Sequence, residues 1–421
     1  MTMKVIRSTH HTRLAAITAA TALLSLSIAS AANAAVATGP SGNSFYTPSA
    51  SKIKAGKHGA PIWVRSAQSV LNLSNASKAY NIVYKSQSLA NKDIAVSGAI
   101  WIPKGTAPAG GWPVISWGHG TTGSADACAP SRITDTVSGA YTSYMFNNFN
   151  AWLGAGYAVV MSDYEGLGTP GPHPYLIGQS EGRGVVDIVK AAHTAFPAIG
   201  TNWIAAGHSQ GGHAVLFAAS IAKTWGTGLT LKGVAAYAPA NNLKTTVIFA
   251  TGAVKSPNGL SGLGALILRS ITFADKTLTM SMLMNPSALP LVPQLETRCL
   301  GDQVGVGLGA TDSFGQFAPG NLLKSWTGST WTDAKVKKGL DVLNSAAMDS
   351  AVKITGPIKI FQGGADGTVP SFTTDALVTK LGTLNGSSNV SYTKYPSADH
   401  GGVVTAAETD ALAWFNSRFG R

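Results

Sequence analysis

Charge is scarce in this chain of 421 residues: Asp, Glu, Lys and Arg together make up 12 %, where about a quarter is usual in globular proteins. Hydrophobic residues make up 45 %. That balance excludes a disordered chain, which needs high charge and little apolar surface to bury. The charge present is lopsided, with 31 Lys and Arg against 19 Asp and Glu. Yet the basic residues form no long block, and no RNA-binding aromatic signature accompanies them. A nucleic-acid partner therefore has no support, and a mild pull towards anionic surfaces is the better reading. Metal-ligand spacing is missing too. His119 and His208 have no partner at H-x-x-x-H or H-E-x-x-H, so neither a metal nor a cofactor is expected. Both histidines read as parts of a pocket wall.

Long apolar runs are absent beyond the N-terminus, so no transmembrane segment is expected in the remainder. At the N-terminus Lys4, Arg7 and Arg13 lead into "LAAITAATALLSLSIASA", followed by "ANA" ending at Ala34. This is the layout of an export signal, with cleavage near Ala34. Residues 1–34 are read as a signal peptide and the mature protein as secreted, extracellular or periplasmic. Cysteine is limited to Cys128 and Cys299. In an oxidising compartment two cysteines usually pair; the alternative is two buried thiols. A bridge would contribute at most about 5 kcal/mol in the chain-entropy model.

What the chain does have is an alternation of elements. Residues 35–50 are rich in Gly, Ser and Pro and read as a loose arm. Then β-rich runs recur: "AYNIVYKS" (79–86), "IAVSGAIWIP" (94–103), "WPVISWGHG" (112–120), "YAVVMSDYEG" (157–166), "NWIAAGHS" (202–209), "LKGVAAYAP" (231–239), "PIKIFQGG" (357–364) and "VSYTKYP" (390–396). Helical patterns fill 180–196, 211–225, 373–384 and 406–419. Strands alternating with helices predict an α/β fold with a mostly parallel central sheet flanked by helices. The first runs, joined without helices, predict an antiparallel lead-in. From 241 to 352 no clear strand appears. A loop of that length without structure is implausible, so the interval is read as a helical insertion. The core is then 35–240 and 353–421.

"GHSQG", Gly207–Gly211, is the one G-x-S-x-G pattern. It follows a predicted strand and opens a predicted helix. So sharp a turn strains the serine's backbone and holds its hydroxyl out at the carboxyl edge of the sheet. Small neighbours let the turn approach adjacent strands. A serine hydroxyl is a poor nucleophile at neutral pH. It needs a base, and the base needs a carboxylate. In this architecture the chain order is Ser, acid, His. Beyond the elbow and its helix, which holds His213, the only histidine is His400. Between them Asp366 follows the apolar strand "PIKIF" among small residues. Asp399 is the second choice, since adjacent side chains rarely face each other well. Asp341 and Asp349 read as exposed positions. The catalytic set is therefore Ser209, Asp366 and His400. For the oxyanion hole the backbone N–H of Gln210 is one donor. The other comes from the loop after "VISWGHG", with Thr121 preferred and Thr122 close behind.

These residues resemble the secretory lipase family, the lipase A-like branch of the α/β-hydrolases. The likeness rests on "GHSQGG", "HGTTGSADACAPS" (119–131), "SDYEGLGTPGPHPYL" (162–176), "QGGADGTVP" (362–370) and "SADHGG" (397–402). It implies that Ser209, Asp366 and His400 occupy the triad positions. It implies a helical cap, or lid, inserted before the acid-bearing strand, where the strandless interval falls. It also places a disulfide at Cys128–Cys299, in agreement with the cysteine count. Fungal members place an aspartate side chain in the oxyanion region; here the loop reads "HGTTG", a departure. Asp163 and Glu165 in "DYEG" are close enough in sequence to suggest glycoside hydrolysis, but they read better as structural hydrogen-bonding groups.

The expected activity is carboxylester hydrolysis, lipase or esterase, through an acyl-enzyme. A serine peptidase or amidase on the same fold is the rival, as is an esterase directed at polyesters or feruloyl esters. A binding-only homologue would usually have lost a triad member. The expected partner is a small-molecule ester or lipid, met at a lipid–water interface. Met280, Met282 and Met284, among leucines in "TLTMSMLMNPSALPLV", are the candidate acyl-chain contacts, because methionine repacks around chains of different length. They read equally as the insertion's own core.

Overall fold

The computed structural model describes residues 1–2, 36–134, 143–250, 260–300, 317, 322–324 and 331–421. The expected signal peptide and its cleavage site near Ala34 lie outside the described residues, apart from residues 1–2.

Nine strands form one sheet in the order β1-β2-β3-β5-β4-β6-β7-β8-β9. They are β1 Pro61–Ser66, β2 Ala76–Gln87, β3 Asp93–Pro103, β4 Trp112–Gly118, β5 Ala158–Ser162, β6 Ile199–His208, β7 Thr230–Tyr237, β8 Ile358–Gly363 and β9 Val390–Tyr395. The first three pair antiparallel, and β3 also meets β5 antiparallel. From β5 across to β9 every pairing is parallel. The mostly parallel sheet with an antiparallel lead-in is thus as expected.

The central strands β4 and β5 are buried along their whole length. That is why they read as continuous apolar runs rather than alternating ones. One face of the sheet packs on the helices Gly178–Ala195 and Gln210–Trp225, through Val185, Ile188, Val189, Val215 and Leu216. The other face packs on Phe146–Gly154 and Glu408–Arg418, where Trp117, Phe149, Trp152 and Phe415 meet edge to face or tilted. Aromatic pairs in such geometry add about 0.5–1.5 kcal/mol each beyond area burial.

Between β7 and β8 the described elements are helical: Leu243–Ala250, Leu260–Ala274, Met280–Leu283, the 3₁₀ segment Leu289–Glu296 and Ala334–Val342. They share a separate hydrophobic cluster that includes Leu266, Ile267, Leu268, Leu283, Leu295 and Leu340. Tyr175, Leu176, Ile177 and Ala240 of the sheet-bearing part belong to the same cluster. Cys128 and Cys299 are joined as a disulfide. No helix among the described residues is long and apolar enough to cross a membrane.

The arm requires a correction. Residues 36–50 are not loose: Gly42–Tyr46 forms a 3₁₀ turn that buries Phe45 and Tyr46 against Trp63. The Trp63 indole donates to the Phe45 carbonyl at 2.9 Å, and the Tyr46 hydroxyl to Ser131 O at 3.0 Å. Two aromatic side chains among glycines and serines were enough to dock the segment.

Candidate active site

Ser209 stands between β6 and the helix Gln210–Trp225 with φ 59° and ψ −118°. A non-glycine residue held in such a region costs on the order of 1–3 kcal/mol, which the surroundings must sustain. Its N–H donates to Tyr237 O at 2.9 Å, and its carbonyl accepts from Ala240 N–H at 2.9 Å and His213 N–H at 3.1 Å. The small residues around it have a steric reason. A Cβ on Gly211 would lie 1.8 Å from the Gly118 carbonyl oxygen, and one on Gly207 would lie 2.4 Å from that of Gly211. The first turn of the helix presses directly on the end of β4, and only glycine allows that approach.

His400 lies in the turn after β9 and is buried. Its Nε2 is 2.9 Å from Ser209 Oγ, and its Nδ1 is 2.8 Å from Asp366 Oδ2. Asp366 follows β8. Its Oδ1 accepts from the Thr368 and Val369 N–H groups, each at 2.8 Å, and its Oδ2 accepts from Gln362 Nε2 at 3.1 Å. Burial alone would raise this carboxyl; the His400 imidazole and the two N–H donors outweigh it and hold the group below the usual carboxylate value. A carboxylate at Oδ2 can only accept, so His400 Nδ1 carries the proton and Nε2 is left to accept from the serine. Asp399 instead caps the turn, accepting from Gly402 N–H at 2.7 Å.

Gly118 and Gly207 are direct neighbours in the β4–β6 pairing, so the loops bearing Thr121 and Gln210 leave adjacent strand ends. Neither the Thr121 nor the Gln210 backbone N–H has an acceptor among the described residues. The helix opening at Gln210 also favours negative charge at its N-terminus. The loop after β4 is tied to the helical segment at several points. Gly123 bridges Cys299, Leu300 N–H donates to Thr122 O at 2.7 Å, Ser124 Oγ donates to Leu295 O, and the disulfide closes the set. The Thr121 hydroxyl meets the Tyr175 hydroxyl at 2.8 Å.

His119 and His208 are both neutral. Burial lowers His119 to about 4 and His208 to about 3. His119 Nδ1 donates to the Gly120 carbonyl at 2.7 Å. Among the described residues no three or more His, Cys, Asp or Glu side chains gather as metal ligands. Asp163 is buried and accepts from Ser131 N–H at 2.9 Å and Ser97 Oγ at 2.6 Å. Glu165 accepts from Leu89 N–H at 3.0 Å and Ser180 Oγ at 2.5 Å. Both carboxylates hold loops, as expected.

Met284 is fully buried in the helical cluster, with Met280 and Met282 half-buried against it. Lys335 Nζ lies 3.8 Å from Met282 Sδ. The structure therefore brings Ser209, His400 and Asp366 together, with Gln210 next to Ser209 and Thr121 in the loop that leaves the adjacent strand end. It keeps the three methionines within the helical segment's own packing. Sequence reasoning missed Glu181, His173 and Tyr175, which surround Gln210 and Thr121. The one available signal was "SEGRG", a glutamate among glycines at a helix start, which carries no motif.

Residues 132–421 match the Secretory lipase family. Lipase A of Moesziomyces aphidis is 25 % identical over 235 residues, covering 54 % of this chain and 49 % of that protein. The match thus spans about half the length of that curated relative. Candida antarctica lipase A in its closed state superposes with a TM-score of 0.67 at 20 % identity, covering 89 % of this chain and 85 % of that one. The rice cell wall degrading esterase LipA from Xanthomonas oryzae also gives 0.67, at 16 % identity, covering 86 % and 98 %. The fold is that of the α/β-hydrolases, and with well over half its length matched, the chain belongs to the secretory lipase family.

Proposed function

We propose that the protein is a secreted serine carboxylester hydrolase that cleaves lipid-type or other apolar esters through an acyl-enzyme. The observation that carries this is the 2.9 Å and 2.8 Å relay from Ser209 through His400 to Asp366, assembled from three separate strand ends. Ser209 Oγ attacks the ester carbonyl while His400 Nε2 takes its proton. Asp366 stabilises the imidazolium without itself taking the proton. The Gln210 and Thr121 N–H groups receive the developing oxyanion; losing one such donor typically costs about 10²–10³ in rate. Collapse breaks the ester C–O bond, and His400 returns the proton to the departing alcohol. Water, deprotonated by His400, then releases the acid and restores the serine.

The helical segment 241–352 acts in this reading as the cap that receives the acyl chain, with the half-buried Met280 and Met282 lending apolar surface and the fully buried Met284 supporting them from within. The N-terminal leader expected from the sequence and the Cys128–Cys299 bridge support an oxidising, extracellular location. The test is labelling by a fluorophosphonate probe together with turnover of p-nitrophenyl esters, triglycerides and matched anilides. Ester turnover that disappears in Ser209→Ala with the fold intact supports the reading. An active Ser209→Ala, or preference for the anilide, overturns it.

A further inference from the structure

Glu181 is one of the most enclosed charges in the molecule, fully buried in the first turn of the helix Gly178–Ala195. It touches neither Ser209 nor His400, and the mechanism above does not use it. We propose that Glu181 is a positioning residue that sets both oxyanion donors, Gln210 and Thr121, through two separate arms. The proposal rests on the acyl-transfer reading of the site.

The first arm runs to Gln210. Glu181 Oε1 accepts from Gln210 Nε2 at 2.7 Å. The same amide nitrogen lies 3.0 Å from His173 Nε2. His173 Nδ1 faces the Glu165 carbonyl at 2.8 Å, which can only accept, so that nitrogen carries the ring proton. Burial keeps the ring neutral, lowering it to about 3. Its Nε2 is then an acceptor, and both amide protons of Gln210 are engaged by fixed partners. Gln210 opens the elbow helix, so a side chain held on two sides holds the backbone N–H beside the nucleophile.

The second arm runs to Thr121. Glu181 Oε1 also accepts from the Leu176 N–H at 2.8 Å. Leu176 has φ 53°, a left-handed conformation that a branched side chain rarely adopts. The carboxylate holds that turn at Leu176 itself, between the backbone bonds from Tyr175 N–H to His173 O at 3.0 Å and from Ile177 N–H to Pro174 O at 3.1 Å. The neighbouring Tyr175 hydroxyl then reaches Thr121 Oγ1 at 2.8 Å. Thr121, Tyr175, Gln210 and Glu181 are all buried, so water cannot substitute for these bonds.

The remaining oxygen, Oε2, faces His213 Nδ1 at 3.0 Å, while His213 Nε2 faces Met348 O at 3.1 Å. A glutamine at 181 would preserve every contact. Its oxygen would accept from Leu176 and Gln210, and its amide would donate to His213 Nδ1. A methionine would match the size and preserve none. This separates geometry from charge.

The experiment measures kcat and KM on p-nitrophenyl butyrate, and the Ki of a trifluoromethyl ketone that forms a tetrahedral adduct. Glu181→Met should lower kcat by about tenfold to a hundredfold with KM within about twofold, short of losing a donor outright. The ketone should weaken by the same factor. Glu181→Gln should restore most of both. Tyr175→Phe, which cuts only the second arm, should lower kcat about tenfold, again without moving KM. If Glu181→Met does not fold, Tyr175→Phe and Gln210→Met decide. A folded Glu181→Met with wild-type kcat overturns the proposal, as does a Glu181→Gln no better than Glu181→Met, or wild-type kcat in both single-arm variants. Absence of fluorophosphonate labelling in the wild type would instead overturn the acyl-transfer reading itself.

Discussion

His208 donates through Nε2 to the backbone carbonyl of His400 over 2.7 Å. A carbonyl can only accept, so Nε2 carries the proton, and Nδ1 of the neutral ring is left to accept from the Tyr144 hydroxyl. His208, beside Ser209, therefore pins the turn that carries His400. His208→Phe keeps the ring and deletes both bonds. We expect kcat on p-nitrophenyl esters to fall about tenfold and stability to drop by about 1–3 kcal/mol, the cost of buried groups left unpaired. An unchanged kcat in a less stable variant would mean that the turn is held by other contacts.

Asp366→Asn should be more severe than its small change suggests. The Thr368 and Val369 N–H groups require an oxygen where Oδ1 now stands. The amide nitrogen must then face His400 Nδ1 and donate to it. That forces the ring proton onto Nε2, where it can no longer accept from Ser209. A fall in kcat of about 10³–10⁴ is expected, with the circular dichroism spectrum unchanged. A loss under tenfold would place the acid elsewhere.

Stability should decline in mild acid. His119, His173 and His208 have folded values of about 4, 3 and 3, all depressed by burial from 6.5. As pH falls below 6.5, the unfolded chain takes up these protons first. The stabilisation they provide is complete above pH 6.5 and drains away as pH falls towards 4 and then 3. Asp163 acts oppositely. Burial raises it to about 6, so its contribution is present at low pH and is lost as pH rises from 3.8 to 6. Glu165 and Asp187 are raised as well, which offsets part of the decline. The three imidazoles, lowered to about 4, 3 and 3, move further than Asp163 does in rising to about 6, and the expected net effect is a decline. Urea midpoints measured at pH 7, 5.5 and 4.5 should fall in that order; a level series contradicts the assignment.

Acyl-chain preference offers a test of the helical segment. Each buried CH₂ of a substrate contributes about 0.8 kcal/mol. KM for p-nitrophenyl esters should fall several-fold as the acyl chain lengthens from acetate to octanoate. Replacing half-buried Met280 and Met282 by serine should flatten that slope and spare acetate hydrolysis, whereas Met284, being fully buried, would cost the fold instead. A double variant with the full slope would assign these methionines to packing alone.

Ser209, Asp366 and His400, which the structure brings together, were legible because each sits in its own short run of small residues after an apolar strand, and because one histidine remained to choose. The sequence showed the sheet through runs long enough to carry β character. It did not show β1, a six-residue strand opening with Pro61. Nor did it show the helix Phe146–Gly154, whose three asparagines dilute its apolar face. Glu181 was invisible for a different reason. An acidic residue in a first helical turn is ordinary on a surface. Only the packing of Gln210, Leu176 and His213 around it makes it an interior group, and no local pattern records that.

The bridge between Cys128 and Cys299 closes a covalent ring 171 residues apart in sequence. Ser209 lies inside that ring; Asp366 and His400 lie in the open tail beyond it. A single proteolytic cut within the ring cannot release a fragment, because both pieces stay tethered through sulfur. A single cut between residues 299 and 366 severs the covalent path from Ser209 to Asp366 and His400, leaving non-covalent packing alone to hold them together. On a gel without reductant the two kinds of nick therefore part ways, the first still running as an intact chain and the second as two.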